Sequence, residues 1–165
     1  MSLDGYIAGP NGEYDWIIID PEMDFAAMSA QFDTYLIGRK TFEAMGRMGN
    51  EAKSSPGIRN IVFSRTLRQS DYPHITISPD AERAVAELRR LPGKDIALFG
   101  GGELFRNLLA AGLVDRVEVA VMPVLLGGGI PLLPPPAVRA VLKLRKQRLY
   151  EKTGTIGLEY DILRP

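Results

Sequence analysis

The chain is 165 residues long, enough for one domain with a substantial core, and its 20 lysines and arginines balance its 20 aspartates and glutamates. That balance, with no basic block, argues against nucleic acid as a partner; no cysteine and a single histidine exclude thiolate catalysis and Cys/His zinc clusters and all but exclude a Ser-His-Asp triad. No apolar stretch reaches the roughly 18 residues of a membrane span and the first residues lack a basic-then-apolar leader, so the expectation is one cytoplasmic domain over residues 1–165, without metal or membrane partner.

In chain order, Ser2-Leu3-Asp4-Gly5-Tyr6-Ile7-Ala8 places an acid beside a glycine, a pairing that forms turns. Asp20 before Pro21 reads as a helix N-cap, with Glu22 and Asp24 as favourable acids in the first turn. Tyr35 to Ile37 reads as a buried strand, and Gly38-Arg39-Lys40-Thr41 after it opens a helix. A second strand, Ile61 to Phe63, runs into Ser64-Arg65-Thr66, and a third, Ile75 to Ile77, puts His74 at a strand edge. The segment Asp80 to Leu91 predicts a helix, with Ser78 as N-cap, Pro79 in the first turn, and Ala84, Val85, Leu88 and Leu91 along one face.

Ile96 to Phe99 predicts the next strand, ending in Gly100-Gly101-Gly102; a helix then begins, burying Leu104, Phe105, Leu108 and Leu109, and stops at Gly112. Val117 to Met122 adds a strand, followed by the loop Leu126-Gly127-Gly128-Gly129-Ile130-Pro131 and a stiff bend at Pro134 to Pro136. The last two strands alternate, Leu142 and Leu144 in one and Ile156, Leu158, Tyr160 and Ile162 in the other, around a turn at Thr153-Gly154-Thr155. Strands alternating with helices predict an α/β fold, mostly parallel, with a C-terminal antiparallel hairpin.

The chemistry concentrates where glycines meet helix starts. Without a Cβ the backbone turns tightly and approaches a ligand, and the free N–H groups at a helix N-terminus attract phosphate. Gly100 to Gly102 is one such place; Gly38 to Thr41, with two cationic side chains and a hydroxyl, is a second. Ser64 and Arg65 form a third polar strand end. Each also has a plain reading, as a turn or a solvated pair, but in open α/β sheets such loops meet beyond the carboxyl ends of the strands.

SLDGYIA, GRKTFE, NIVFSR, FGGGELFRNLL and PVLLGGGIPLL, in this order and spacing, resemble the dihydrofolate reductase-like superfamily, in particular the riboflavin-biosynthesis reductase branch, the RibD C-terminal domain. The resemblance covers nearly the whole chain and implies a three-layer α/β/α fold on a twisted eight-stranded sheet, with NADPH as cofactor. It places Arg39, Lys40 and Thr41, after Gly38, along the pyrophosphate and 2′-phosphate, and Ser64 and Arg65 beside that 2′-phosphate. Gly100, Gly101, Gly102, Glu103 and Leu104 would cradle the pyrophosphate, the glycine pair often carrying a cis peptide. Ile7 and Ala8 would border the nicotinamide, under a loop holding Trp16.

On the substrate side the resemblance makes Asp4 the acid near the sugar of a ribosylamino-pyrimidine phosphate, and Glu22 the carboxylate that supports protonation. A dihydrofolate reductase would carry an arginine where Ile58 stands; Arg59 is one residue off, which in a strand turns it to the other face. Without cysteine there is no zinc deaminase partner domain within the chain, so it is at most a stand-alone reductase. Met1 directly before Ser2 leaves the first strand shorter than the family's, implying an upstream start or a truncated strand. Three readings remain: a small-molecule reductase of pyrimidine, pterin or flavin-like substrates, a true dihydrofolate reductase, and a non-catalytic NADPH-binding domain. A homodimer is compatible with the apolar face between Leu142 and Leu149.

Overall fold

The computed structural model describes residues 1–47 and 57–164. Its strands and helices fall into two compact units: one of residues 1–24 and 114–165, the other Phe25–Leu113.

The second unit is built on four parallel strands in the order β4 (Thr76–Ser78), β3 (Arg59–Phe63), β2 (Phe32–Gly38) and β5 (Asp95–Gly100). Leu36 and Ile37 of β2 and Ile61 and Val62 of β3 are buried, as apolar strands covered on both faces should be. Helix α2 (Arg39–Arg47) packs on β2 and β3, whereas α4 (Gly102–Ala110) packs on β2 and β5 and against α3 (Ala81–Leu88). Ile37, Val62 and Ile75 form a core cluster, with Phe42, Met45, Leu67 and Tyr72 packed around it. The chain steps from β2 to β3 and β4 in one direction and returns to β5 on the far side of β2, so the topological switch point lies between β2 and β5.

The first unit is antiparallel. β9 (Thr155–Leu163) lies between β6 (Arg116–Val121) and β8 (Val141–Tyr150), and β1 (Tyr6–Ala8) pairs with the two-residue β7 (Ile130–Pro131). The hairpin turn closes where Gly154, at φ +69°, donates its N–H to the Tyr150 carbonyl at 2.9 Å. The mixed α/β fold with a C-terminal hairpin is thus the one observed, although among the described residues the strands hydrogen-bond in three sets instead of one eight-stranded sheet.

Local chemistry corrects several expectations. Asp80, not Ser78, caps α3: its carboxylate accepts the Arg83 N–H at 3.0 Å, and the Ser78 hydroxyl serves the turn before it. The helix stops at Leu88, leaving Leu91 exposed. His74 lies exposed in the turn before β4, because the strand begins only at Thr76. Asp20 does not start a helix; α1 is the short Phe25–Ser29 and Asp20 caps a single turn, with the Met23 N–H on its carbonyl. Phe105 is half-buried, since it sits at the side of the α4 stripe formed by Leu104, Leu108 and Leu109. That helix does end at Gly112, whose φ of +67° lets Gly112 and Leu113 donate to the carbonyls of Leu109 and Leu108.

Val62 is fully buried within the core cluster, so Val62→Ala should lower unfolding stability by about 2 kcal/mol in a urea titration. A loss below a few tenths would mean that the cluster collapses onto the missing methyls.

Candidate functional site

In the second unit, three neighbouring parallel strands end at the loops singled out from the sequence. Gly38 pairs with Phe63 in register and Ile37 with Gly100, so Ser64, Arg39 and Gly101 follow the ends of β3, β2 and β5. The turns after β2 and β5 touch. A Cβ on Gly38 would lie 3.2 Å from the Gly101 nitrogen and 3.3 Å from the Gly100 oxygen, and a Cβ on Gly101 would come within 2.9 Å of the Thr41 hydroxyl. Gly100 has φ +144°, and the Gly100–Gly101 peptide is cis. Two helix N-termini, those of α2 and α4, are thereby brought together with their first N–H groups unpaired by helix geometry.

The side chains around these turns are mostly charged and exposed. Arg39 donates twice to Glu43, at 2.7 and 2.9 Å, and Lys40 reaches Glu103 on α4 at 3.0 Å, joining the two helix starts. Such exposed pairs contribute about 0.3–0.5 kcal/mol each, which a phosphate dianion outbids without difficulty. Leu104 is buried, so it offers a ligand only its backbone. The Ser64 hydroxyl is buried and already accepts the N–H groups of Thr66 and Leu67 at 3.1 and 3.0 Å, which shapes the turn that carries exposed Arg65. Arg59, by contrast, opens β3 at its other end, where its charge adds to the Lys94 amide and Thr34 hydroxyl in holding Asp33 below the usual carboxylate range. Paired glycines where a Cβ would crowd the neighbouring turn, two helix starts and three flanking cations fit a dinucleotide's phosphates.

The first unit holds the remaining residues. Ile7 and Ala8 are half-buried in β1, and Trp16 is half-buried in the loop that follows, its indole donating to the Glu13 carbonyl at 3.2 Å. Glu22 is half-exposed and faces Arg148 at 3.6 Å and Lys152 at 3.7 Å. Asp4 is exposed, yet its carboxylate accepts the Ser2 hydroxyl at 2.6 Å and the N–H groups of Leu126 and Gly127, at 2.7 Å for the latter. The Ser2 hydroxyl first, then the two amides, hold Asp4 below the ordinary range, against the opposing cost of desolvation.

One acid escaped its sequence reading. Asp20 is fully buried and accepts the Glu22 N–H at 2.9 Å and the Thr153 hydroxyl at 3.0 Å; the Thr153 oxygen also lies 2.9 Å from the hydroxyl of Thr155, itself fully buried. The Glu22 amide, then Thr153 and the Lys152 charge, outweigh burial and hold this carboxyl low. A cap signal at Asp-Pro was visible, but a partner 133 residues away in the hairpin turn was not.

The fold is that of an α/β domain with two glycine turns meeting at the switch point of its parallel sheet. Residues 1–156 match the RibD C-terminal domain, and the chain belongs to that family. It is 36% identical to the uncharacterized protein YyaP of Bacillus subtilis (strain 168), over 97% of this chain and 90% of that one. It is 28% identical to the riboflavin biosynthesis protein RibD of Corynebacterium ammoniagenes over 82% of its own length but only 44% of that protein's. Among solved structures it resembles a putative riboflavin biosynthesis protein from Shewanella sp. PV-4, with a TM-score of 0.81, 24% identity, and coverage of 99% and 96% of the two chains. At that identity the likeness establishes the fold.

Asp20 makes the stability of the protein acid-sensitive in a defined direction. A carboxyl held low in the native state stabilises fully above its unfolded value, about 3.9, and that contribution is lost as pH falls through the lower native one. Asp20→Asn should therefore be less stable than the natural chain at about pH 7, with the gap in urea midpoint narrowing below about pH 4. A gap that stays constant over this range would show that Asp20 acts by shape alone.

Proposed function

We propose that the chain is an NADPH-dependent reductase of a small polar heterocycle, of the pyrimidine class to which 5-amino-6-(5-phosphoribosylamino)uracil belongs. The observation that carries this reading is the contact of two glycine turns at the switch point of the parallel sheet, where a Cβ on Gly38 would crowd the Gly101 nitrogen and one on Gly101 the Thr41 hydroxyl, so that two helix starts lie side by side. Membership of the RibD C-terminal domain family supports the reaction class.

In this reading Gly100, Gly101, Gly102, Glu103 and Leu104 present backbone N–H groups to the pyrophosphate, and Thr41 adds a hydroxyl. Arg39, Lys40 and Arg65 select the 2′-phosphate; a guanidinium binds a phosphate through two parallel N–H bonds, which a 2′-hydroxyl does not repay. Ser64 sets the turn from which Arg65 reaches. Bound nicotinamide supplies the hydride. Ile7 and Ala8 form an apolar wall for its ring, and Trp16 belongs to the loop that excludes water from it. Of the two acids expected to handle protons, Glu22 keeps its oxygens open, its ion pairs being longer than hydrogen bonds, and it takes the role of proton-handling group. Asp4 belongs to the same side of the chemistry, through the contacts treated below.

A second copy of the chain is part of this reading. On one face of the antiparallel sheet, Leu142, Leu144, Leu149 and Ile156 are 42 to 58% exposed and share that face with Val117, Val119, Val121, Leu158, Tyr160 and Ile162. A face this apolar and uncharged suits an identical face, because self-pairing brings no like charges together.

Alanine at Arg39 and Arg65 together should weaken NADPH by about a hundredfold and leave NADH nearly unchanged, each charged contact contributing about 1.5 kcal/mol. Gly101→Val should abolish both. Equal losses in the arginine variant would remove the 2′-phosphate assignment, binding of neither nucleotide by the natural chain would remove the cofactor, and preferential turnover of dihydrofolate would replace the pyrimidine with a pterin. In light scattering at micromolar concentration, the natural chain should have twice the mass of Leu144→Glu; a natural monomer would reject self-pairing.

A further inference from the structure

The segment Leu126 to Gly129 is held almost entirely by the first eight residues. The Leu3 N–H donates to the Val124 carbonyl at 2.8 Å, the Leu132 N–H to the Gly5 carbonyl at 2.9 Å, and Ala8 pairs with Ile130. Between these points no strand pairing holds the loop, and Asp4 spans the gap: one carboxylate oxygen takes the Gly127 N–H at 2.7 Å and shares the Leu126 N–H, the other takes the Ser2 hydroxyl at 2.6 Å. Ser2 is fully buried and accepts the Tyr6 N–H at 2.9 Å on the same hydroxyl, so the anchor of the clamp is itself fixed to β1.

The loop runs close against β1. Gly127 and Gly129 have φ of +70° and +150°, and a Cβ on Gly129 would sit 2.2 Å from the Ala8 carbonyl oxygen. Gly127 and Gly129 are two residues apart in this turn, so holding the Gly127 amide limits how far Gly129 can move from Ala8.

We infer that Asp4 is a positioning residue: its carboxylate clamps the Leu126–Gly129 turn that runs against Ala8, instead of passing a proton to substrate. Its oxygens already accept three donors, the Ser2 hydroxyl and the Leu126 and Gly127 amides, and a proton on the carboxyl would weaken each of these bonds. The clamp stands on geometry alone; its bearing on hydride transfer, through Ala8 as a wall of the nicotinamide, rests on the reductase reading.

The test uses the full chain and two readouts, with Asp4→Asn, Asp4→Ala and Ser2→Ala as variants. Amide hydrogen exchange at Leu126 and Gly127 should speed up by about tenfold or more in both Asp4 variants and less in Ser2→Ala, while amides in β3 keep their protection. Unchanged exchange at Leu126 and Gly127 overturns the clamp, and the Ser2 variant decides the matter if Asp4→Ala does not fold. For the reaction, NADPH oxidation with 5-amino-6-(5-phosphoribosylamino)uracil should fall in Asp4→Asn by one factor at every pH. Loss of one limb of the pH profile would instead make Asp4 the proton donor and overturn the positioning role. A natural chain that binds no NADPH yet shows faster exchange in the variants sinks the reductase reading and leaves the clamp in place.

Discussion

Everything at the candidate phosphate site depends on one steric constraint, the contact between the turn that leaves β2 and the turn that leaves β5. Gly38, Gly100 and Gly101 meet with Thr41 beside them, and at Gly38 and Gly101 a Cβ would crowd the neighbouring turn. The constraint is created by topology. Only because β5 returns to the far side of β2 do two helices start from adjacent strand ends at the switch point. The core under β2 and β3, centred on Ile37 and Val62, then holds the turns in place, since a close-packed interior does not let a strand slide by even a fraction of a residue.

The electrostatics follow the same plan. The cations near the turns are exposed and engaged only in ion pairs such as Lys40 with Glu103, a cheap and reversible arrangement that leaves them ready for a stronger anion. The acids of the other unit are treated in the opposite way. Asp4 and Asp20 each accept a hydroxyl and at least one backbone amide, and both are held below the ordinary carboxylate range. Each ties an early turn of the chain to a late one, Asp4 to Gly127 and Asp20 to Thr153. Both carboxylates hold turns of the chain together, whereas the ion pairs of Glu22 are longer than hydrogen bonds.

Much of this was legible in the residues. Buried strands such as Tyr35 to Ile37 and Ile61 to Phe63 announced themselves as short apolar runs, and Gly112 announced the end of α4, because these signals rest on local propensity. The glycine turns after β2 and β5 were legible as helix starts. What misled was also local. Ser78 and Asp80 both suit a cap, and only the backbone path decides which side chain meets the Arg83 N–H. Asp20 before Pro21 carried a genuine cap signal, yet the chain uses it for a single turn and a buried bond to the hairpin.

The order of the residues determined by itself which segments become strands and helices, where the glycines permit turns that other residues resist, and which family the motifs resemble; all of these depend on neighbours within a few residues. Tertiary structure decided which turns touch, which acids are buried and what each carboxylate holds. Contacts such as Asp4 with Gly127, 123 positions apart, exist only once the sheets have formed, because no local rule relates the two ends of the chain before the strands between them have set their distance.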